Sequence, residues 1–204
     1  APAPPGVIAP TVAIWYWGVP LGKPQLDDLA ELRALGFSAF IWPSALVKFE
    51  SDARRAATTI GITPIVRPPA TTLNATSALA PGPRVDVQVD DVAAEDMPAL
   101  IWRAISHGAR EIGFAAGASA RPGWRTASGG APGWLTHARL VARQFHFNAE
   151  LLGDLGKAIV VPTVPAAPGA VEVTLVETPR SWVLIATNVS RRRVRGVATL
   201  PAGV

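Results

Sequence analysis

Val85-Asp86-Val87-Gln88-Val89-Asp90, a helix-patterned run Met97–His107, a glycine at 108, and then Glu111-Ile112-Gly113-Phe114-Ala115 make one strand–helix–strand unit, and that unit decides the fold. The first run alternates without a break. Val85, Val87 and Val89 share one face, and Asp86, Gln88 and Asp90 share the other. Two strands joined through a helix run parallel, because a parallel pair needs a long crossover. The same alternation recurs upstream. Val12–Trp17 leads to a helix at Pro24–Leu35, Phe37–Trp42 to one at Ala45–Ile60, and Ile62–Arg67 to a proline-rich linker. Downstream, Glu111–Ala115 leads to a long helix at Trp134–Leu155. Five strands of one parallel α/β sheet are therefore expected.

The helix at 45–60 has the clearest period. Leu46, Phe49, Ala53, Ala56, Ala57 and Ile60 form one apolar stripe, while Lys48, Asp52, Arg54 and Arg55 fall off it. Gly36, Gly61 and Gly108 follow their helices as C-terminal stops. Asp96 is placed to cap the next helix, with Pro98 in its first turn. Arg67–Arg84 contains four prolines and no period, an unusually long loop for a compact βα array. From about residue 158 the texture changes. Ala158–Pro162, Val171–Val176, Trp182–Asn188 and Val194–Leu200 are β-branched runs separated by turn residues. They predict a small antiparallel, sandwich-like appendage over 158–204, after a barrel-like domain at 12–157 and a proline-rich arm at 1–11.

The 204 residues are few for an eight-stranded barrel, which takes about 250. An apolar fraction of 49% supports a real core, and the lack of cysteine excludes a disulfide scaffold and thiolate metal sites. The start, Ala1-Pro2-Ala3-Pro4-Pro5, fits a chain whose secretory leader has been removed and predicts a secreted or periplasmic protein. No run of 18 apolar residues occurs, so no membrane partner is expected. The net charge is +4, but apart from Arg191-Arg192-Arg193 and Arg195 the arginines are scattered. That cluster reads as a solvated edge strand rather than a nucleic-acid surface.

Ligands of parallel sheets sit at the C-terminal strand ends. Trp15, Trp17, Trp42, Arg67, Asp90 and Asp91 fall there, and Trp124 and Trp134 lie in or beside the following loop. Flat rings suit the apolar face of a sugar; the structural alternative is that they cap the core. Asp90 and Asp91, with Glu95 close by, are the candidate catalytic carboxylates. The polar face that Asp90 shares with Asp86 and Gln88 implies either a wet interior or a solvated edge strand. Trp102 and Trp182 read as core. His107, His137 and His146 show no metal-ligand spacing. No metal or cofactor is expected.

The stretch Ala99-Leu100-Ile101-Trp102-Arg103-Ala104-Ile105-Ser106-His107-Gly108-Ala109-Arg110-Glu111-Ile112-Gly113-Phe114 resembles the helix–His-Gly-Ala–strand segment around the last strand of barrel glycoside hydrolases of clan A, the beta-galactosidase-like enzymes. Trp15-Tyr16-Trp17 and Leu35-Gly36-Phe37 are similar to the first strand and the first helix-to-strand turn of such barrels. The helix ending Asn148-Ala149-Glu150-Leu151-Leu152 and the run Trp182–Asn188 extend the likeness. It implies a (β/α) barrel that is incomplete or reduced, with its middle strands missing within Pro68–Arg84. It implies a nucleophile near the end of Val85–Asp90 and leaves no residue to inherit the acid/base role. The expected function is that of a glycoside hydrolase-like protein acting on or binding a carbohydrate. The alternative is a non-catalytic carbohydrate-binding or structural descendant, and the residues leave open whether the chain is an enzyme. A five-stranded sheet also has open edges, which the linker, the appendage or a second copy of the chain could cover.

Overall fold

A computed structural model describes residues 11–15, 26–43, 50–67, 71–73, 83–115, 133–153, 155, 158–161, 163–164, 171–188, 190 and 192–203. The described elements follow the expected alternation. In chain order they are β1 (Thr11–Trp15), α1 (Leu26–Ala34), β2 (Ala39–Pro43), α2 (Glu50–Ile60), β3 (Thr63–Arg67), β4 (Thr71–Leu73) and β5 (Arg84–Gln88). Then come α3 (Met97–Ser106), β6 (Glu111–Ala115), α4 (Gly133–Phe147) and α5 (Ala149–Gly153). The C-terminal part holds β7 (Ala158–Val161), β8 (Thr163–Val164), β9 (Val171–Glu177), β10 (Trp182–Asn188) and β11 (Val197–Ala198).

The first six strands form one sheet in the order β3-β2-β1-β6-β5-β4, and every pairing in it is parallel. All five expected strands are present in it. The sixth, β4, corrects the reading of Arg67–Arg84 as strandless. Three residues paired with Val85–Val87 are too short a run to show a period. The central pairing joins β1 to β6, with Ala13 opposite Gly113.

The sheet has two unlike faces. On one, Val12, Ile14, Phe40, Val85, Val87, Ile112 and Phe114 merge with Leu29, Leu32, Ala56, Ile101, Leu135 and Val141 of the four long helices into the main core. The other carries Ala13, Ala39, Ile41 and Ala115, with Ile65 against them, as a separate small cluster. Alternation within each strand produces this split, since neighbouring residues point to opposite faces. Among the described residues, all four long helices pack on the first face. Each helix stop works as its glycine suggests: Gly61 has φ +73° and its N–H, with that of Ile62, returns to the Ala57 carbonyl.

The C-terminal strands form a three-stranded antiparallel sheet, β10-β9-β7, and a separate two-residue pair, β11 with β8. The expected strand at Val194–Leu200 is reduced to Val197–Ala198, so the arginine cluster does not sit on an edge strand; Arg192–Gly196 are irregular. Val176 and Ile185 of this sheet belong to the main core and pack on the α3 side. Several boundaries also move. The last helix breaks at Asn148 into α4 and α5, β5 stops at Gln88 rather than Asp90, and α3 is preceded by a 3-10 turn, Ala94–Asp96. Asp96 makes no side-chain cap on α3, because that turn already places its backbone in the helical region. No helix among the described residues is long and apolar enough to cross a membrane.

Candidate functional site

The strand ends order the candidate residues. Asp86 and Gln88 lie on the helix-free face of β5. Asp86 is opposite Gly113 on one side and Thr72 on the other, and Gln88 is opposite Ala115. The register continues outward from Gly113 to Ala13 and from Ala13 to Ala39. One row across the sheet therefore reads Ala39, Ala13, Gly113, Asp86, three small residues leading to a carboxylate. Asp86 is only 1% exposed, as buried as its apolar neighbours, while Gln88, one residue pair nearer the C-terminal end, is half-buried.

Beyond Gln88 the chain leaves the sheet. The Val89 N–H still donates to the Ala115 carbonyl at 2.9 Å, and the Asp91 N–H then donates to the Gln88 carbonyl at 3.1 Å, closing a turn. Asp90 and Asp91 sit on that turn and Glu95 on the 3-10 turn after it; all three are exposed. The structure thus gathers them beyond the C-terminal end of β5, as expected, on the surface.

Trp15 ends β1 opposite Ile41, and Trp42 and Arg67 lie near the ends of β2 and β3, with Trp42 opposite Val66 and Pro43 opposite Arg67. Trp17 and Trp124 lie outside the described residues. Trp134 is placed differently from the expectation of a ligand contact. It opens α4, and its ring stacks on Phe114 with centroids 6.3 Å apart and planes at 24°. Phe114 belongs to the helix-side core, so Trp134 fills that core rather than the helix-free face. Trp102 is core as read, edge-on to Phe145 at 5.4 Å with its indole N–H donating to Gln144. Trp182 is not, since it stands on the outer face of β10, 38% exposed.

The sequence reading passed over one cluster. Glu172 on β9 accepts from Arg103 Nε at 3.3 Å and pairs with His107 Nε2 at 2.7 Å, and all three side chains are largely covered. The sequence marks His107 only by its lack of metal-ligand spacing. Its partner lies 65 residues away, and no local signal pairs them. The cluster fastens the antiparallel sheet to α3. Nearby, Arg110 donates to the Leu155 carbonyl at 2.9 Å and to the Ala109 carbonyl. Desolvation by burial lowers its guanidinium below the ordinary arginine value. Among the described residues, no group of three His, Asp or Glu is arranged to hold a metal ion. In comparisons with known proteins, no family model, no curated protein and no solved structure matches this chain.

Proposed function

We propose that the chain is a carbohydrate-active protein of the barrel glycoside hydrolase type, secreted or periplasmic, that takes a sugar at the C-terminal strand ends. The observation that carries this reading is the polar file on β5. Asp86 is buried beneath half-buried Gln88 on the face the helices leave free, beside a floor of Ala39, Ala13 and Gly113. A parallel strand buried on both faces is normally apolar on both, so a buried carboxylate there calls for a purpose.

Chain length supports a curled, barrel-like sheet. Its outermost strands, β3 and β4, are separated by residues 68–70. Four Cα steps span at most about 14 Å. The outer strands of a flat six-stranded sheet would lie about 24 Å apart. This favours a sheet whose edges bend toward each other, which would make the helix-free face concave and reduce the need for a second chain to cover them.

Exposure of Asp90, Asp91 and Glu95 favours the second reading, a non-catalytic sugar-binding descendant, over an active hydrolase. A glycan array run beside a panel of chromogenic glycosides separates the two. The proposal expects retention of at least one glycan and loss of that retention in Asp86→Leu. Hydrolysis that falls at least a hundredfold, the scale of a lost acid/base group, in Asp90→Asn or Asp91→Asn would establish the catalytic form. A folded parent that neither retains a glycan nor cleaves a glycoside overturns both readings.

A further inference from the structure

The positive charge of this protein is not spread over it. Residues 158–204 hold five arginines against two glutamates, which accounts for three of the four net charges. One of those glutamates, Glu172, is already committed to Arg103 and His107. The other, Glu177, pairs with Trp182 across the β9–β10 hairpin, in whose turn Arg180 lies, whereas Arg192, Arg193 and Arg195 follow the opposite end, where Asn188 faces Val171. Arg192, Arg193 and Arg195 are exposed, and no described carboxylate forms an ion pair with them.

The segment that carries them is held in place. Asn188 Nδ2 donates to the Arg192 carbonyl at 2.8 Å, and Ser190 donates through its hydroxyl and its N–H to Asn188 Oδ1 at 2.6 and 2.9 Å. Apolar side chains among and just after the arginines face water: Val194, Val197 at 69% and Leu200 at 44%. Next to them lies an apolar recess of about 260 Å³, lined by Val171, Val173, Ala186, Val194, Val197 and Ala198 among others.

We infer that this end of the C-terminal sheet docks on an anionic lipid surface, the arginines meeting the headgroup phosphates and Val194, Val197 and Leu200 entering the interface. Charge complementarity selects the partner. Clustered arginines are drawn to an anionic leaflet, and exposed apolar side chains beside them add the hydrophobic half of interfacial binding. Single-stranded nucleic acid fits less well, because residues 183–204 contain no aromatic ring on which a base could stack. This is contact with a surface and not passage through it, and it departs from the expectation of no membrane partner, which rested only on the lack of an apolar run long enough to span.

The test is co-sedimentation of the full chain with vesicles of phosphatidylcholine alone or mixed with phosphatidylglycerol. Binding is expected to the anionic vesicles only and should be lost between about 0.05 M and about 0.5 M salt, as screening shortens the reach of the charges. Arg192→Gln, Arg193→Gln and Arg195→Gln together should weaken partitioning roughly a hundredfold, at about a factor of five per arginine. Val197→Ser with Leu200→Ser should weaken it with the arginines intact. All of these positions are exposed, so the variants should keep the parent's circular dichroism. No binding to anionic vesicles at low salt, or equal binding by the triple variant, overturns the inference. Tighter binding to DNA or to heparin than to the vesicles, lost in the same triple variant, also overturns it and assigns the arginines to a soluble polyanion.

Discussion

Removing one carboxylate should loosen the whole C-terminal sheet. Glu172→Ala leaves Arg103 and His107 facing each other without the oxygens that now accept from both, at 3.3 and 2.7 Å. A hydrogen bond to a charged group contributes about 1.5–3 kcal/mol. The side chains concerned are 18–20% exposed, so solvent screening trims the sum of the two, and a net loss of about 2–3 kcal/mol is expected. For a chain of this size that is a fall of roughly 5–10 °C in Tm. The loss should be local as well as global. Amide exchange in β9 and β10 should speed up before that in β1 and β6, because the first pair depends on this contact for its docking on α3. A double-mutant cycle with Arg103→Met isolates the pair. An unchanged Tm together with a coupling energy under about 0.5 kcal/mol would refute the reasoning, since that is the level at which independent sites simply add.

Phe114→Ala removes a fully buried ring that meets Phe37 edge-on at 6.1 Å and Trp134 in a stack, and should cost about 3–5 kcal/mol in urea unfolding with a red shift of tryptophan emission. Gly61→Ala meets no atom within 4 Å, so its cost should be that of a positive φ alone, about 1–2 kcal/mol. A neutral effect there would mean that the helix stop does not depend on glycine. Arg110→Met removes the guanidinium that holds the Leu155 carbonyl and should cost about 2 kcal/mol, read by the same unfolding curve.

The elements that were legible in the sequence are those whose period is long or strict. Val85–Gln88 alternates, Ile112–Phe114 follows a helix and a glycine, and the structure pairs both runs in parallel as the alternation demands. What escaped was short or distant. Thr71–Leu73 is a strand only because Val85–Val87 lies beside it. Asn148 ends α4 without any proline or glycine to announce the break. The candidate site was legible as a place, the C-terminal end of β5, but not as a depth. Asp86 and Asp90 read alike in an alternating run, and only the turn after Gln88 leaves one buried and the other in water. The Glu172 cluster rests on a separation of 65 residues and on packing between two sheets, which no local pattern encodes.

The pairing of Ala13 with Gly113 has a consequence for how the protein is made. β1 is the middle strand of the sheet in space and the first in the chain, and one of its two neighbours is a hundred residues downstream. On the ribosome β1, β2 and β3 can assemble as soon as they emerge, but the other side of β1 stays unpaired until residue 115 is out. At about 5–20 residues per second that interval lasts several seconds, long against the collapse of a short chain. During it Val12 and Ile14 stand next to an open strand edge, the kind of surface that recruits other nascent chains. The demand for a chaperone should therefore peak in the middle of synthesis and fall once β6 has closed the gap.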